Sequence, residues 1–357
     1  MNRYLRQQQL PGFGEAGQQK LAKAKVLVVG LGGLGIPVVQ YLNAMGVGTL
    51  GLVEKDTVAL HNLQRQVLYT ERDVGKSKLA VALEQLKAQN SETHHVGNEA
   101  FLNTGNALEI ISEYDVVVDA TDNFPTRYLI NDACVILNKP FVYGALQGFE
   151  GQVSVFNHKG GPTYRCLFPN IPKGTEIPNC NENGVLGVVP GIIGTLQALE
   201  VVKVITGIGE PLSGKVLVFD SQNHRYFKMA IQPKPEYQTI QKLLESYGAT
   251  DCVQVPSIKA DAFLKVIAQE VHPAIIDVRS RPEYQMDHLS QALNIPLDDL
   301  ALPKSLQEQK TSIYILCQSG KRSEVAVAKL QESHPNLTFY SVLGGMNALN
   351  LEETRKA

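Results

Sequence analysis

Short apolar runs alternate with longer stretches of helical spacing through the first two thirds of the chain. Runs at 25–29, 49–54 and 115–120 read as strands, with shorter ones at 93–96, 140–143 and 152–156. Between them, 35–45, 76–89 and 125–137 carry apolar residues at helical spacing. Strands interleaved with helices predict a parallel sheet covered by helices. Residues 215–220 and 225–229 predict a late antiparallel pair, and residues 1–22 a polar helical arm. The segment IQPKPEY (231–237) interrupts the pattern with two prolines, and a polar stretch of helical spacing runs from it to Gly248. From Val255 a second α/β alternation begins, with strands at 274–278, 312–317 and 338–342 and helices near 257–270 and 323–333. The pattern predicts domains at 1–233 and 255–357, joined by a linker at 234–254.

The chain has 357 residues, long for a single core, which agrees with two domains. A net charge of -2 gives no reason to expect binding to nucleic acid or to an anionic membrane. The N-terminus, MNRYLRQQQLPGFG, has no apolar signal core. The five cysteines (134, 166, 180, 252 and 317) are widely spaced without a C-x-x-C pair, which fits a reducing cytoplasm better than a disulfide framework. Residues 185–207 are apolar enough to test as a membrane span, but they contain Pro190, Glu200 and Lys203. A buried core helix, at or near a subunit interface, is the better expectation.

Candidate chemistry begins at VLVVGLGGLG (26–35). Gly30 permits a tight turn, Gly32 lets backbone approach a phosphate, and Gly35 lets the next helix pack closely. Glu54 ends the following strand, where an acid can bind ribose hydroxyls. Alone, this pattern favours NAD(P) or FAD. The cations that follow, Arg65, Lys76 and Lys78, suit a triphosphate losing pyrophosphate better, although the two lysines also read as a solvated helix start. DATDN (119–123) closes an apolar strand. Asp122 can hold Mg2+ against phosphates, and either Asp122 or Asn123 can cap the helix that follows.

GLGGLG, with glycines 30, 32, 33 and 35, the run D-T-V-x-x-x-N-L-Q-R-Q (56–66), VGKSK and DATDN occur in that order. Together with RYLRQ near the N-terminus and GVLGVVPGIIGTLQALEVVK, they resemble the ubiquitin-activating-enzyme-like adenylyltransferases of the ThiF/MoeB/HesA family over residues 1 to about 230. The resemblance implies ATP and Mg2+ binding and adenylation of a protein's C-terminal glycine. It implies that Glu54 binds the ribose, that Asp56 and Asn123 belong to the nucleotide site, that Asn62, Arg65 and Lys78 serve the phosphates, and that Asp122 holds the metal. Arg6 would reach the partner subunit's site, implying a homodimer. Two departures stand out. Many relatives have Asp where Glu54 stands, and many carry two C-x-x-C pairs for zinc. Here the first is reduced to T-Y-R-C, leaving Cys166, and the second is absent, so no zinc site is expected. Cys180 lies in the polar loop PNIPKGTEIPNCNENG, where the family places a cysteine over the nucleotide site. An exposed thiol there can attack an acyl-adenylate or resolve a persulfide, though it also reads as an incidental loop cysteine. Cys134 lies on an apolar helix face and reads as core, and Cys252 as incidental.

In the second domain, ILCQSGKRSEVAV (315–327) places Cys317 at a strand end, ahead of a helix starting near Ser323. Backbone N–H groups at such a loop depress a thiol's pKa, with Lys321 and Arg322 acting in the same sense. Four residues separate Cys317 from Arg322, where cysteine phosphatases have five. The tighter loop, with IIDVRSRPEYQMDHLSQALNIPL (275–297) and VLGGMNAL (342–349), resembles the rhodanese sulfurtransferases. The persulfide loop would comprise Cys317, Gln318, Ser319, Gly320, Lys321 and Arg322. Asp277 and Arg279 would brace it, and His288 would be structural. Gln318 is often Arg in relatives, a difference that bears on the sulfur donor.

The two halves fit one reaction: adenylation of a ubiquitin-like sulfur carrier ending in Gly-Gly, then sulfur transfer from a Cys317 persulfide, with Cys180 releasing the thiocarboxylate through a disulfide with Cys317. A donor such as a cysteine desulfurase would load Cys317. With ETRKA as its last residues, the chain is not expected to be the carrier. The alternatives are an adenylyltransferase with an idle rhodanese domain, an NAD(P) or FAD oxidoreductase with a regulatory one, and a non-catalytic scaffold. Molybdopterin, thiamine, tRNA thiolation and cysteine synthesis are all open as pathways.

Overall fold

The structure, a computed structural model, describes residues 2–172, 184–247, 255–269, 273–307 and 312–349, without the Lys321 side chain. Cys180 and Cys252 lie outside the described residues. The chain divides into two compact units, Met1–Thr250 and Asp251–Ala357.

The first unit is built on an eight-stranded sheet of β1 (Lys25–Val29), β2 (Thr49–Val53), β3 (His94–Asn98), β4 (Val116–Asp119), β5 (Phe141–Gln147), β6 (Glu150–Phe156), β7 (Lys215–Asp220) and β8 (Arg225–Ala230). Its order is β3-β2-β1-β4-β5-β6-β7-β8, parallel as far as β5 and antiparallel from β5 to β8. This is the Rossmann-like sheet with a late antiparallel portion that the alternating pattern predicts. Its helices are α1 (Leu5–Gln8), α2 (Gly14–Lys23), α3 (Gly35–Ala44), α4 (Lys78–Gln89), α5 (Ala107–Ser112), α6 (Phe124–Ile136), α7 (Tyr164–Leu167) and α8 (Val188–Thr206). Each face of the sheet carries its own buried cluster. One gathers Val26, Val28, Val118 and Val142 with α3 and α8, and the other gathers Leu27, Val29, Val117 and Phe141 with α6. The alternation of strand side chains between faces produces this split.

Local residues account for the element ends. The N-terminal arm is two helices rather than one, because Gly12 and Gly14 adopt φ of +82° and +58° between them. Helix α4 begins at Lys78 and not at 76, after Gly75 at φ +87°, with Ser77 Oγ accepting the Ala80 N–H as cap. Among the described residues α8 is the one helix long and apolar enough to cross a membrane. It packs on α3, β5 and β6, and its buried Glu200 accepts the Leu212 N–H at 2.7 Å and pairs with Lys203 at 2.6 Å.

The second unit has a parallel five-stranded sheet of β9 (Ser257–Ile258), β10 (Ala274–Asp277), β11 (Ala292–Asn294), β12 (Ile313–Leu316) and β13 (Phe339–Val342), ordered β11-β10-β12-β13-β9. Helices α9 (Ala260–Gln269), α10 (Arg281–Met286), α11 (Lys304–Gln307), α12 (Lys321–Ser333) and α13 (Gly345–Ala348) complete it. The strands β9 and β11, two and three residues long, are too short to register as apolar runs.

The stretch after the two prolines is not helical. Pro235–Tyr237 forms one 3-10 turn, and residues 238–247 follow as irregular chain. Side chains explain this. Tyr237, Leu243 and Tyr247 pack on the α6 side of the first sheet, and Tyr247 donates its hydroxyl to Asp132 at 2.7 Å. Tertiary contacts override the local spacing. The described part of the segment expected to be a linker therefore lies on the first unit.

Asp132, 1% exposed, is the hub of that contact. It accepts Arg165 Nε and Nη2 at 2.7 Å each, besides Tyr247. Removing it strands a mostly buried guanidinium. Asp132→Ala should destabilise the first unit by about 3 kcal/mol or more, read as a lowered denaturant midpoint. Tyr247→Phe, which loses the bond to Asp132 and the one accepted from Leu244 N–H at 3.2 Å, should cost about 1–2 kcal/mol.

Candidate active sites

Open parallel sheets bind ligands beyond the carboxyl ends of their strands, where the strand order reverses. In the first unit this point lies between β1 and β4. The turn after β1 is shaped by backbone proximity. Gly30 has φ +95°, and a Cβ on it would fall 2.8 Å from Ala120 O; a Cβ on Gly35 would fall 1.9 Å from Gly30 O. Both glycines are required by the fold. Gly32 is different, since a Cβ there would meet only Gln66 Nε2 at 3.7 Å. Its bareness leaves backbone open to a ligand at the N-terminus of α3.

Glu54 follows β2 and is 8% exposed. Its Oε2 accepts Leu31 N–H at 3.0 Å, and its Oε1 accepts Lys55 and Asp56 N–H at 2.8 and 2.9 Å. The 56–66 run folds beside this turn. Asn62 Oδ1 accepts Ala59 N–H at 3.1 Å. Arg65 donates to His61 O at 3.1 Å, and its Cδ lies 3.4 Å from where a Gly33 Cβ would stand. Lys78 is buried, and its Nζ lies 3.5 Å from exposed Asp56. Lys76 is exposed and tied to Asp73 at 2.9 Å. After β4, Asn123 caps α6 by accepting Thr126 N–H at 3.0 Å. That leaves Asp122 exposed, with no hydrogen bond or ion pair among the described residues. Arg6 stands apart on α1, exposed and likewise unpaired among the described residues.

Two groups here escaped the sequence reading. Gln66, 3% exposed beside Gly32, has a buried Oε1 with no hydrogen-bond partner among the described residues. Buried Asp119 holds the loop after β4, accepting Thr121 N–H at 3.0 Å and its hydroxyl at 2.7 Å, while Arg127 donates to Thr121 O at 2.9 Å. Burial pushes the Asp119 carboxyl upward and Arg127 pulls it down, with burial prevailing. In the sequence, Gln66 is one polar residue in a polar run, and Asp119 a strand end. Only burial distinguishes them.

The residues near Cys166 do not fit a zinc ion. Its sulfur accepts the N–H groups of Thr163 and Lys234 at 3.4 and 3.3 Å. Thr163 holds the other position of the reduced motif, and one thiolate cannot complete a tetrahedral set. Cys134 is fully buried in α6, and burial raises its thiol pKa.

In the second unit Cys317 follows the central strand β12 and is fully buried. Its Sγ accepts the N–H groups of Gly320 at 3.1 Å and Ser323 at 3.4 Å, where Gly320 at φ +92° leads into α12. Arg279 braces the loop. It is bound to Asp277 at 2.7 Å and donates to Gln318 Oε1 at 3.0 Å. Gln318 donates in turn to Asn347 at 2.7 Å. Ser319 is exposed. A pocket of about 220 Å³ beside the loop is lined by Arg279, Glu283, Met286, Asp287, Gln318 and Met346. His288, exposed, stacks on Tyr284 with ring centroids 4.0 Å apart.

The Arg322 guanidinium, expected to act on the thiol, meets Glu283 bidentately at 2.9 and 2.7 Å. The Lys321 side chain lies outside the described residues. Arg322 also holds the Glu283 carboxyl down to about 2.

The ThiF family matches residues 4–239, and a rhodanese-like domain matches residues 260–352. An adenylyltransferase and sulfurtransferase MOCS3 from Arabidopsis thaliana is 38% identical over 97% of this chain and 82% of its own length. A sulfur carrier protein adenylyltransferase from Thermus thermophilus is 50% identical over 66% of this chain and 89% of its own. Among solved structures, E. coli MccB with ATP superposes with a TM-score of 0.59 at 27% identity, covering 66% of this chain and 73% of that chain.

The depressed Glu283 pKa has a pH signature. The ion pair's contribution to stability should be complete above about pH 4.3, the ordinary Glu value, and lost as pH falls toward 2. Denaturant midpoints of the full chain across that window should show the loss, and Glu283→Gln should remove that part of the slope.

Proposed function

The chain belongs to the ThiF family and carries a rhodanese-like domain behind it, and on that premise we propose that it adenylates a small sulfur-carrier protein and then transfers sulfur to it. The observation that carries the reading is the presence, on one chain, of the glycine turn at the β1–β4 switch point and of Cys317 in its cradle of N–H groups. The printed names of the relatives, adenylyltransferase, sulfurtransferase and sulfur carrier protein adenylyltransferase, support both steps.

In the first step a carboxylate oxygen of the carrier's terminal glycine attacks the α-phosphate of ATP, and pyrophosphate leaves. The bare backbone at Gly32, with Gly30, Gly33 and Gly35 shaping the turn, receives the phosphates at the N-terminus of α3. Glu54 takes the ribose. Asn62, Arg65 and Lys78 face the β- and γ-phosphates, where cations offset the charge developing on the leaving group. The Lys78–Asp56 contact, 3.5 Å to an exposed carboxylate, is weak enough for a phosphate to displace. Asp122, unpaired and exposed after β4, fits a hard cation, and Mg2+ bound there would neutralise phosphate charge. Arg6, exposed on α1, serves the other subunit's site in a homodimer, and Val188 and Leu199, exposed on apolar α8, belong to the same contact.

In the second step the outer sulfur of a Cys317 persulfide attacks the acyl carbon and AMP leaves. The product is an acyl disulfide joining carrier and Cys317. Cys180, outside the described residues, then attacks Cys317 Sγ. The thiocarboxylate departs and a Cys180–Cys317 disulfide forms, to be reduced by cellular thiols. A shared chain raises the effective concentration of persulfide near the adenylate. The sulfur comes from a persulfide donor such as a cysteine desulfurase. Reduced thiols at Cys317 and Cys180 suit the cytoplasm.

ATP–pyrophosphate exchange that depends on a Gly-Gly-terminated carrier tests the first step. Asp122→Ala should lower it by about 100-fold or more, a loss of roughly 2.7 kcal/mol of transition-state stabilisation. Cys317→Ala should keep exchange and abolish thiocarboxylate, read by mass spectrometry of the carrier. Thiocarboxylate formed by Cys317→Ala would mean an idle rhodanese domain. Exchange that no carrier elicits would overturn the reading.

A further inference from the structure

We propose that Glu54 holds the nucleotide ribose through a single hydroxyl, so that the site discriminates strongly at one of the 2′ and 3′ positions and weakly at the other. The inference deepens the nucleotide reading of the first unit and rests on it.

A carboxylate offers about four lone-pair sites. In Glu54 three are occupied by backbone. Oε1 accepts both Lys55 and Asp56 N–H, at 2.8 and 2.9 Å, and has no further capacity. Oε2 accepts Leu31 N–H at 3.0 Å and keeps one site. These bonds fasten the end of β2 to the glycine turn after β1. The Leu31 peptide is pinned from its other side as well, since buried Tyr69 donates its hydroxyl to Leu31 O at 3.1 Å. Tyr69 is held in its protonated, donating form by burial first and then by the Glu54 charge. The arrangement is a closed set, Glu54–Leu31–Tyr69, and does not need a ligand to complete it.

Chelating both ribose hydroxyls would require Glu54 to release a backbone N–H. Each such bond involves an ionised acceptor and is correspondingly strong, so giving one up costs about tenfold or more in affinity. Accepting one hydroxyl at the free site of Oε2 costs nothing of the kind. The length of the side chain makes the difference. The glutamate reaches back to its own following peptides and forward to Leu31, whereas an aspartate, one methylene shorter, spans less and leaves more of its acceptor capacity for the sugar.

Calorimetric titration of the full chain in Mg2+ buffer with ATP, 2′-deoxyATP and 3′-deoxyATP tests this without carrier or turnover. One deoxynucleotide should bind within about threefold of ATP and the other more weakly by about tenfold or more. In Glu54→Asp the gap between the two should close, both binding more weakly than ATP. Two deoxynucleotides weakened alike in the wild-type protein, or neither weakened, would overturn the single-hydroxyl contact while leaving adenylation standing. ATP that binds without supporting carrier-dependent exchange would overturn adenylation alone, and ATP that does not bind would overturn both.

Discussion

The close approach of β1's turn to the end of β4 is the constraint on which the first unit's chemistry depends. Gly30 lies where any Cβ would strike Ala120 O, and Gly35 where one would strike Gly30 O. Bare backbone at these two positions lets the turn, the N-terminus of α3 and the loop of Asp119–Asn123 share one sheet edge. Gln197 of α8 ties that edge from behind, donating to Asp119 O at 2.7 Å. The turn and the carboxylate-bearing loop therefore stand together at that edge.

The second unit solves a similar problem with a different payload. Gly345 leaves no room for a Cβ against Cys317 O, and Gly320 none against Gly344 N. Met346 and Asn347 N–H then bind the carbonyls of Cys317 and Gln318. With the loop carbonyls so engaged, N–H groups of Gly320 and Ser323 face the sulfur. A thiolate or persulfide gains hydrogen bonds there from backbone.

Charges near both sites are mostly committed to partners: Arg322 to Glu283, Arg279 to Asp277, Lys76 to Asp73 and Lys78, loosely, to Asp56. Cys166 is engaged by the backbone N–H groups of Thr163 and Lys234, and Asp132 by Arg165 and Tyr247. The covering segment 238–247 is held by the Tyr247 hydroxyl on Asp132 and by the packing of Leu243 and Tyr247.

Sequence alone determined the parallel sheet, the antiparallel ending and the second α/β unit, because period-two and helical spacing report directly which faces are buried. It also located the glycine turn, the DATDN loop and Cys317, because those need particular residue types at fixed intervals. Tertiary structure decided what spacing cannot encode. Tyr247 abandons helical periodicity for Asp132, 115 residues away. Arg322 is neutralised by Glu283, 39 residues away. Glu54 spends three of its lone pairs on backbone brought to it by the neighbouring strand and its own turn. Gln66 and Asp119 become conspicuous only once buried. Hydrogen bonding and ion pairing between distant segments depend on where the chain folds back, and a local pattern carries no record of that.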